Sequence, residues 1–300
     1  MVVTDRFARN LRSALPITNV SPPRVTPFQP LVIGALYPAL ERGLTADVLA
    51  ARALGGQALA VCTSLVVAGN GRVTDVLDVP SDTVTAQLAH VFDTATPTGA
   101  RVGICGSAAS VEAIFEALGQ HLKGSLVLDA TLSGPSGEDI ADGRVREALQ
   151  ARFPLADVVT MRRADAELIA AMEITSLDDA QVAVQRIHKM GARTVLLRCG
   201  TLPASTFDAD TPSDHASDLF YDGEEFALFE APHIAAPGMR GASSALALAL
   251  LHALHAGRPL PDAIQRAKAF VSEAVRLGAR DARAHPDYAG ATAHLPEPAG

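Results

Sequence analysis

From Leu31 onward the chain alternates short apolar runs with stretches of helical period. Leu31-Val32-Ile33-Gly34, Ala58-Leu59-Ala60-Val61-Cys62, Arg101-Val102-Gly103-Ile104-Cys105, Ser125-Leu126-Val127-Leu128-Asp129, Asp157-Val158-Val159-Thr160 and Thr194-Val195-Leu196-Leu197-Arg198 read as strands. They are continuous apolar runs rather than alternating ones, the pattern of strands covered on both faces. Helical periods fall at 45–54, 81–92, 142–152, 165–172 and 177–190, and Val111, Ile114, Phe115 and Leu118 share one further helix face. Ser81 or Asp82 is expected to cap the second helix and Ser107 the third. Around Asp222-Gly223 the pattern switches to two-residue alternation, a hairpin signal. Two helices follow, at about 242–256 and 261–277. This order predicts an α/β fold of three layers with a mostly parallel central sheet.

Residues 1–30 contain Pro16, Pro22, Pro23, Pro27 and Pro30 and read as an N-terminal extension, because proline breaks helices and sheet ladders. Residues 31–280 form the predicted domain, and 281–300, with Pro286, Pro296 and Pro298, a C-terminal tail. Ligands of parallel α/β folds lie beyond the carboxyl ends of the strands. Asp129, Thr160 and Arg198 stand at such ends.

Composition narrows the partners. Among 300 residues, 48% are apolar but only 4% aromatic, with no Trp, so the core is built from Ala, Leu and Val. A net charge of −8 and the absence of any Lys/Arg run argue against a nucleic-acid binder. Cys62, Cys105 and Cys199 form no CxxC pair, which suggests reduced thiols in a cytoplasmic protein, and no Cys/His cluster has zinc spacing. No apolar run reaches the roughly 18 residues that span a bilayer, and no secretory leader is evident. His252 and His255 read as packing residues of the long penultimate helix.

The stretch Ala235-Ala236-Pro237-Gly238-Met239-Arg240-Gly241-Ala242-Ser243-Ser244 reads as a glycine-containing loop entering a helix. Free N–H groups and the helix dipole make such an end a place for an anion. Gly241, Ala242 and Ser243, with Arg240, are therefore candidate phosphate contacts. An ordinary helix start, capped by serine, is the competing reading.

Several segments, in order, resemble one family: Gly43-Leu44-Thr45-Ala46-Asp47; Val102-Gly103-Ile104-Cys105-Gly106-Ser107-Ala108; Val127-Leu128-Asp129 with Ser136-Gly137; Ala156-Asp157-Val158-Val159-Thr160; Tyr221-Asp222-Gly223 through Glu230-Ala231-Pro232; and Arg266-Ala267-Lys268-Ala269-Phe270-Val271. Over roughly 31–280 the chain resembles the ribokinase superfamily, and within it the hydroxymethylpyrimidine/phosphomethylpyrimidine kinases of thiamine synthesis, with pyridoxal kinases as relatives. The resemblance implies a ribokinase-like fold, ATP and Mg²⁺ as cofactors, a small-molecule ligand, a homodimer and phosphoryl transfer to a hydroxymethyl group.

The motif positions carry unusual residues. The family closes its site with Gly-Thr-Gly followed by Cys or Asp, the catalytic base. Matched on its first glycine, this is Gly241-Ala242-Ser243-Ser244, which puts Ser244 at the base position; a second register, set by Ser243-Ser244-Ala245, puts Arg240 there. Neither side chain is a ready base near neutral pH. The Asn-x-x-Glu that organises Mg²⁺ in the family is Arg162-Arg163-Ala164-Asp165 here, and the Lys before Ser-Gly is Pro135. Asp129 is the best remaining metal or second-shell candidate, with Asp165 or Glu138 behind it. The loop expected on the substrate side runs Ala35-Leu36-Tyr37-Pro38-Ala39-Leu40-Glu41-Arg42, and the polar pair after the next strand is Ala68-Gly69. Tyr37 and Ala68 are thus the substrate-side candidates. Two functions follow: a kinase-like protein of weak or lost activity, or a non-catalytic ligand- or partner-binding relative that keeps the fold.

Overall fold

The computed structural model describes residues 27–38, 42–69, 72–134, 137–203, 214–236 and 240–284. The elements run β1 (Pro30–Leu36), α1 (Leu44–Ala53), β2 (Leu59–Gly69), β3 (Arg72–Asp78), α2 (Ser81–Thr94), β4 (Gly99–Val102), α3 (Ala108–His121), β5 (Ser125–Asp129) and α4 (Gly143–Gln150). They continue with β6 (Val158–Arg162), α5 (Arg163–Ala170), α6 (Leu177–Lys189), β7 (Val195–Gly200), β8 (His215–Tyr221), β9 (Phe226–Pro232), α7 (Ala242–His255) and α8 (Leu260–Ala284). One sheet holds the strands in the order β3-β2-β1-β4-β5-β6-β7-β8-β9. The six strands from β2 to β7 in that order pair in parallel; β3, β8 and β9 join antiparallel at the two edges.

The continuous apolar runs divide between two cores because successive strand side chains face opposite ways. Leu31, Ile33, Leu126, Leu128, Val195 and Leu197 face one cluster, which packs on α2 to α6. Val32, Val127, Val158 and Leu196 face the other, under α1, α7 and α8. Helix α7 lies inside that second layer, buried from Ser244 through Leu251. Its alanines let it approach the sheet closely, and each leucine fully withdrawn from water contributes about 1.5–3 kcal/mol.

Several local expectations change. Phe28 is buried, lies edge-on to His252 with ring centroids 5.0 Å apart, and accepts a hydrogen bond from the Gln57 N–H through its carbonyl oxygen. The fold therefore begins inside the segment read as an extension, with Pro30 starting β1 at a position where a strand tolerates proline; residues 1–26 lie outside the described residues. Pro80, not Ser81 or Asp82, stands at the N-cap of α2. Its φ of −52° and ψ of 138° give the extended geometry a cap needs. Ser107 does cap α3, accepting from the Ser110 N–H. Strand β3 was not expected, although Asn70-Gly71 is a strong hairpin signal in the sequence. Helix α8 continues through Gly278 to Ala284, past the expected tail boundary at 281, since one glycine costs a helix only about 1 kcal/mol. No helix among the described residues is long and apolar enough to cross a membrane.

Candidate functional site

The carboxyl ends of the parallel strands open onto a cleft of about 440 Å³, bounded opposite by the start of α7 and by α8. Its floor is an ion network. Asp129, the last residue of β5, is fully buried and meets two guanidinium groups: Arg101 of β4 at 2.6 Å on Oδ2 and Arg198 of β7 at 2.7 Å on Oδ1. Burial alone would push the Asp129 carboxyl up, but Arg198 and Arg101 outweigh it and hold it below its ordinary range. Arg101 also reaches Asp47 in the first turn of α1 at 2.9 Å. A charged residue inside the run Ala100-Arg101-Val102 thereby ties β4 to β5 and α1. Gly103 makes this possible, because a Cβ there would stand 2.3 Å from the Arg101 Nη1. Burial raises the Asp47 carboxyl above its usual value, against the opposing pull of Arg101 and of the adjacent Ser244 hydroxyl.

Farther along the wall, Lys268 of α8 pairs with Asp218 of β8 at 2.9 Å. Arg162 ends β6 and folds back onto the chain: its Nε donates to Asp165 at 2.8 Å, and its Nη2 donates to the Ser133 carbonyl and hydroxyl. Asp165 also accepts from the Leu132 and Ser133 N–H groups and the Ser133 hydroxyl. It is committed to the loop after β5 and does not line the cleft.

Tyr37, after β1, and Arg42, before α1, enter from the opposite lip. Gly43 beside them has φ 53°, and a Cβ there would lie 2.1 Å from the Ala35 carbonyl oxygen, so only glycine allows this turn. Burial raises the Tyr37 hydroxyl and lowers the Arg42 guanidinium, and Arg240 and Arg162 lower Arg42 further. Arg42 and Arg240 make no ion pair among the described residues, and the Nε of each is buried without a hydrogen-bond partner.

At the start of α7, Gly241 is the N-cap in the left-handed region at φ 80°, and no side chain caps the helix. The serine-capped reading is thus corrected: the cap position is a glycine, and among the described residues no side chain accepts from the first-turn N–H groups. Ser244 is 3% exposed and lies against Asp47, so its hydroxyl is almost closed off from the cleft. Arg240 lines the cleft just ahead of the cap. His233, just after β9, is exposed and also lines the cleft.

The cleft thus gathers Tyr37, Asp129, Arg240, Gly241, Ala242, Ser243 and Ser244 from the sequence candidates. Ala68 and Asp165 are not on its wall; Ala68 packs from β2 against the small cluster around Tyr37. Pro135, Ser136 and 237–239 lie outside the described residues. Arg42, Arg101 and Lys268 were missed as site residues. The available signal was charge placed within or beside otherwise apolar segments.

A divalent cation does not suit these residues. Both Asp129 oxygens hold arginines, Asp218 holds Lys268, and Arg162 stands where the resemblance expects a magnesium organiser. Among the described residues, no group of three or more His, Cys, Asp or Glu is placed to hold a metal. An anionic phosphate chain does suit them: five arginines and one lysine face two carboxylates across the cleft.

The sequence profile described as phosphomethylpyrimidine kinase matches residues 42–286. A hydroxymethylpyrimidine/phosphomethylpyrimidine kinase of Aquifex aeolicus is 29% identical over 235 residues, 78% of this chain and 89% of that protein. Among solved structures, Bacillus subtilis pyridoxal kinase in its ADP complex superposes with a TM-score of 0.73 at 24% identity, over 84% of this chain and 93% of the other. Phosphomethylpyrimidine kinase of Clostridium difficile gives 0.68 at 22% identity, over 83% and 99%. Both share the three-layer ribokinase-like fold.

Proposed function

Because the chain belongs to the phosphomethylpyrimidine kinase family, we propose that its cleft receives ATP and a hydroxymethyl- or phosphomethyl-pyrimidine and transfers phosphoryl groups slowly. The observation that carries the reading is the start of α7. It offers an uncapped helix end and a nearby arginine, and the two side chains at the family's base position, the buried Ser244 or Arg240, are not ready bases near neutral pH.

Phosphoryl transfer depends mostly on positioning and on stabilising charge. The arginines and the α7 N–H groups supply both for the phosphate oxygens. The acceptor hydroxyl must lose its proton without a placed base, a contribution worth about 10²–10⁴-fold. Ser244 gives little help, being buried beside Asp47, a carboxylate that already serves Arg101. Magnesium finds both carboxylates of the cleft wall, Asp129 and Asp218, already held by cations.

Turnover of the hydroxymethyl- and phosphomethyl-pyrimidines with ATP and Mg²⁺ tests this. The expected rate lies at least a hundredfold below the 1–100 s⁻¹ or so usual for kinases, and Ser244→Ala leaves it within about twofold, since general-base loss would cost far more. A rate within the usual range overturns the reading. Ligand binding with no turnover at all favours the second reading, a binding protein that keeps the fold, whose support is that both Asp129 oxygens are held by arginines.

A further inference from the structure

Three arginines reach the cleft from three different connections at the carboxyl edge of the sheet. Arg42 precedes α1, Arg162 ends β6 and Arg240 precedes α7. Arg42 lies within electrostatic reach of both others, and Tyr37 within reach of Arg42 and Arg162. Each aspartate of the site already has a cation. Asp47 and Asp129 hold Arg101, Asp129 also holds Arg198, Asp165 holds Arg162, and Asp218 holds Lys268. Glu138, the remaining carboxylate felt by Arg42, is not on the cleft wall and accepts the Val73 N–H.

Counting the six cations of the wall against Asp47, Asp129, Asp165, Asp218 and Glu138 leaves a local excess of one positive charge, and Arg42 and Arg240 are the two cations that make no ion pair among the described residues. The chain as a whole carries −8. Like charges converging in a half-buried hollow repel one another unless an anion lies between them. Guanidinium groups fit phosphate oxygens through paired N–H donors.

We propose that Arg42, Arg162 and Arg240 form a receptor for a terminal phosphate that works without a divalent cation, the guanidinium groups standing in for the metal. This deepens the reading of the cleft as a phosphate-handling site, resting on that reading for the ligand's class but not on any turnover. The donor is a phosphate monoester or the end of a nucleotide's phosphate chain; the chemistry recognised is the same.

Calorimetric titration of inorganic phosphate into the full chain, at constant ionic strength, tests it in EDTA and again with Mg²⁺. The expected result is saturable binding in EDTA that Mg²⁺ changes by less than about twofold. Arg42→Gln and Arg240→Gln should each weaken it about ten- to a hundredfold, the value of a charged hydrogen bond. Neither arginine has an ion pair to lose among the described residues, so both variants should keep the wild-type melting temperature, which is measured alongside. Competition by ADP, or by the phosphomethyl-pyrimidine, distinguishes the nucleotide's phosphate from the acceptor's as the natural source, and either supports the site. Absence of binding in EDTA, binding that appears only with Mg²⁺, or folded variants that bind like wild type would each overturn it. Fast turnover together with metal-free phosphate binding would sink the slow-transfer reading and leave this one standing.

Discussion

Asp129 shows how one buried residue sets the character of the cleft. Two guanidinium groups compensate it from opposite sides, and through Arg101 the same carboxylate anchors Asp47 and the first turn of α1. Replacing Asp129→Asn leaves Arg101 and Arg198 facing a neutral amide in a dry site. Removing one member of a buried ion pair costs about 3–5 kcal/mol, and urea unfolding should show a loss of that size with little change in slope. The pH dependence follows from the same contacts. The folded carboxyl is held below its ordinary value, so its stabilisation is fully present above the unfolded pKa, near 4. It is lost as pH falls below that and through the folded value. Melting temperatures of the wild type should therefore drop in this acid range, and Asp129→Asn should drop less steeply. An equal slope would place the acid sensitivity elsewhere. The thiols behave differently: burial pushes Cys105 and Cys199 up to about 12, which leaves both unreactive at neutral pH.

At the scale of elements, α7 carries most of the placement. It is buried along nearly its whole length, so the sheet and its two neighbouring helices fix it rigidly, and its N-terminus is therefore aimed at the cleft. The entry depends on Gly241 at φ 80°. A Cβ in the left-handed region costs roughly 1–2 kcal/mol. Gly241→Ala should lower stability by about that amount in chemical denaturation, and a cost near zero would show that the turn relaxes without penalty. The serine pair 243–244 looks like a cap in the sequence. The helix instead starts one residue after the glycine, which places both serines inside its first turn and leaves the N-cap position to Gly241.

Across the whole molecule, charge is distributed against its average. The chain is acidic overall, yet the cleft wall holds six cations and two carboxylates. Low-dielectric walls focus such a field onto an entering anion. Screening over about 10 Å at 0.1 M salt should weaken that attraction. Phosphate affinity is therefore expected to fall steadily between low salt and 0.5 M NaCl, while the melting temperature, governed by buried pairs, moves little. Affinity independent of salt would show that apolar contacts, not the arginines, dominate binding.

The sequence alone determined the layer order. Continuous apolar strands, such as Leu31–Ile33 and Leu126–Leu128, can be satisfied only with helices on both faces, and this pattern is local enough to read directly. It also marked Arg240, Gly241 and Asp129 as cleft residues, because strand ends and helix starts are local signals too. The partners were decided by tertiary structure. Arg101 meets Asp47 across 54 positions, and Arg198 meets Asp129 across 69. Nothing in the spacing of these residues says which carboxylate will neutralise which arginine. That pairing depends on strand order, and it decides whether Asp129 faces a metal or an arginine. It also decides that Arg42 and Arg240 make no ion pair among the described residues, since an unpaired charge is defined by everything packed around it.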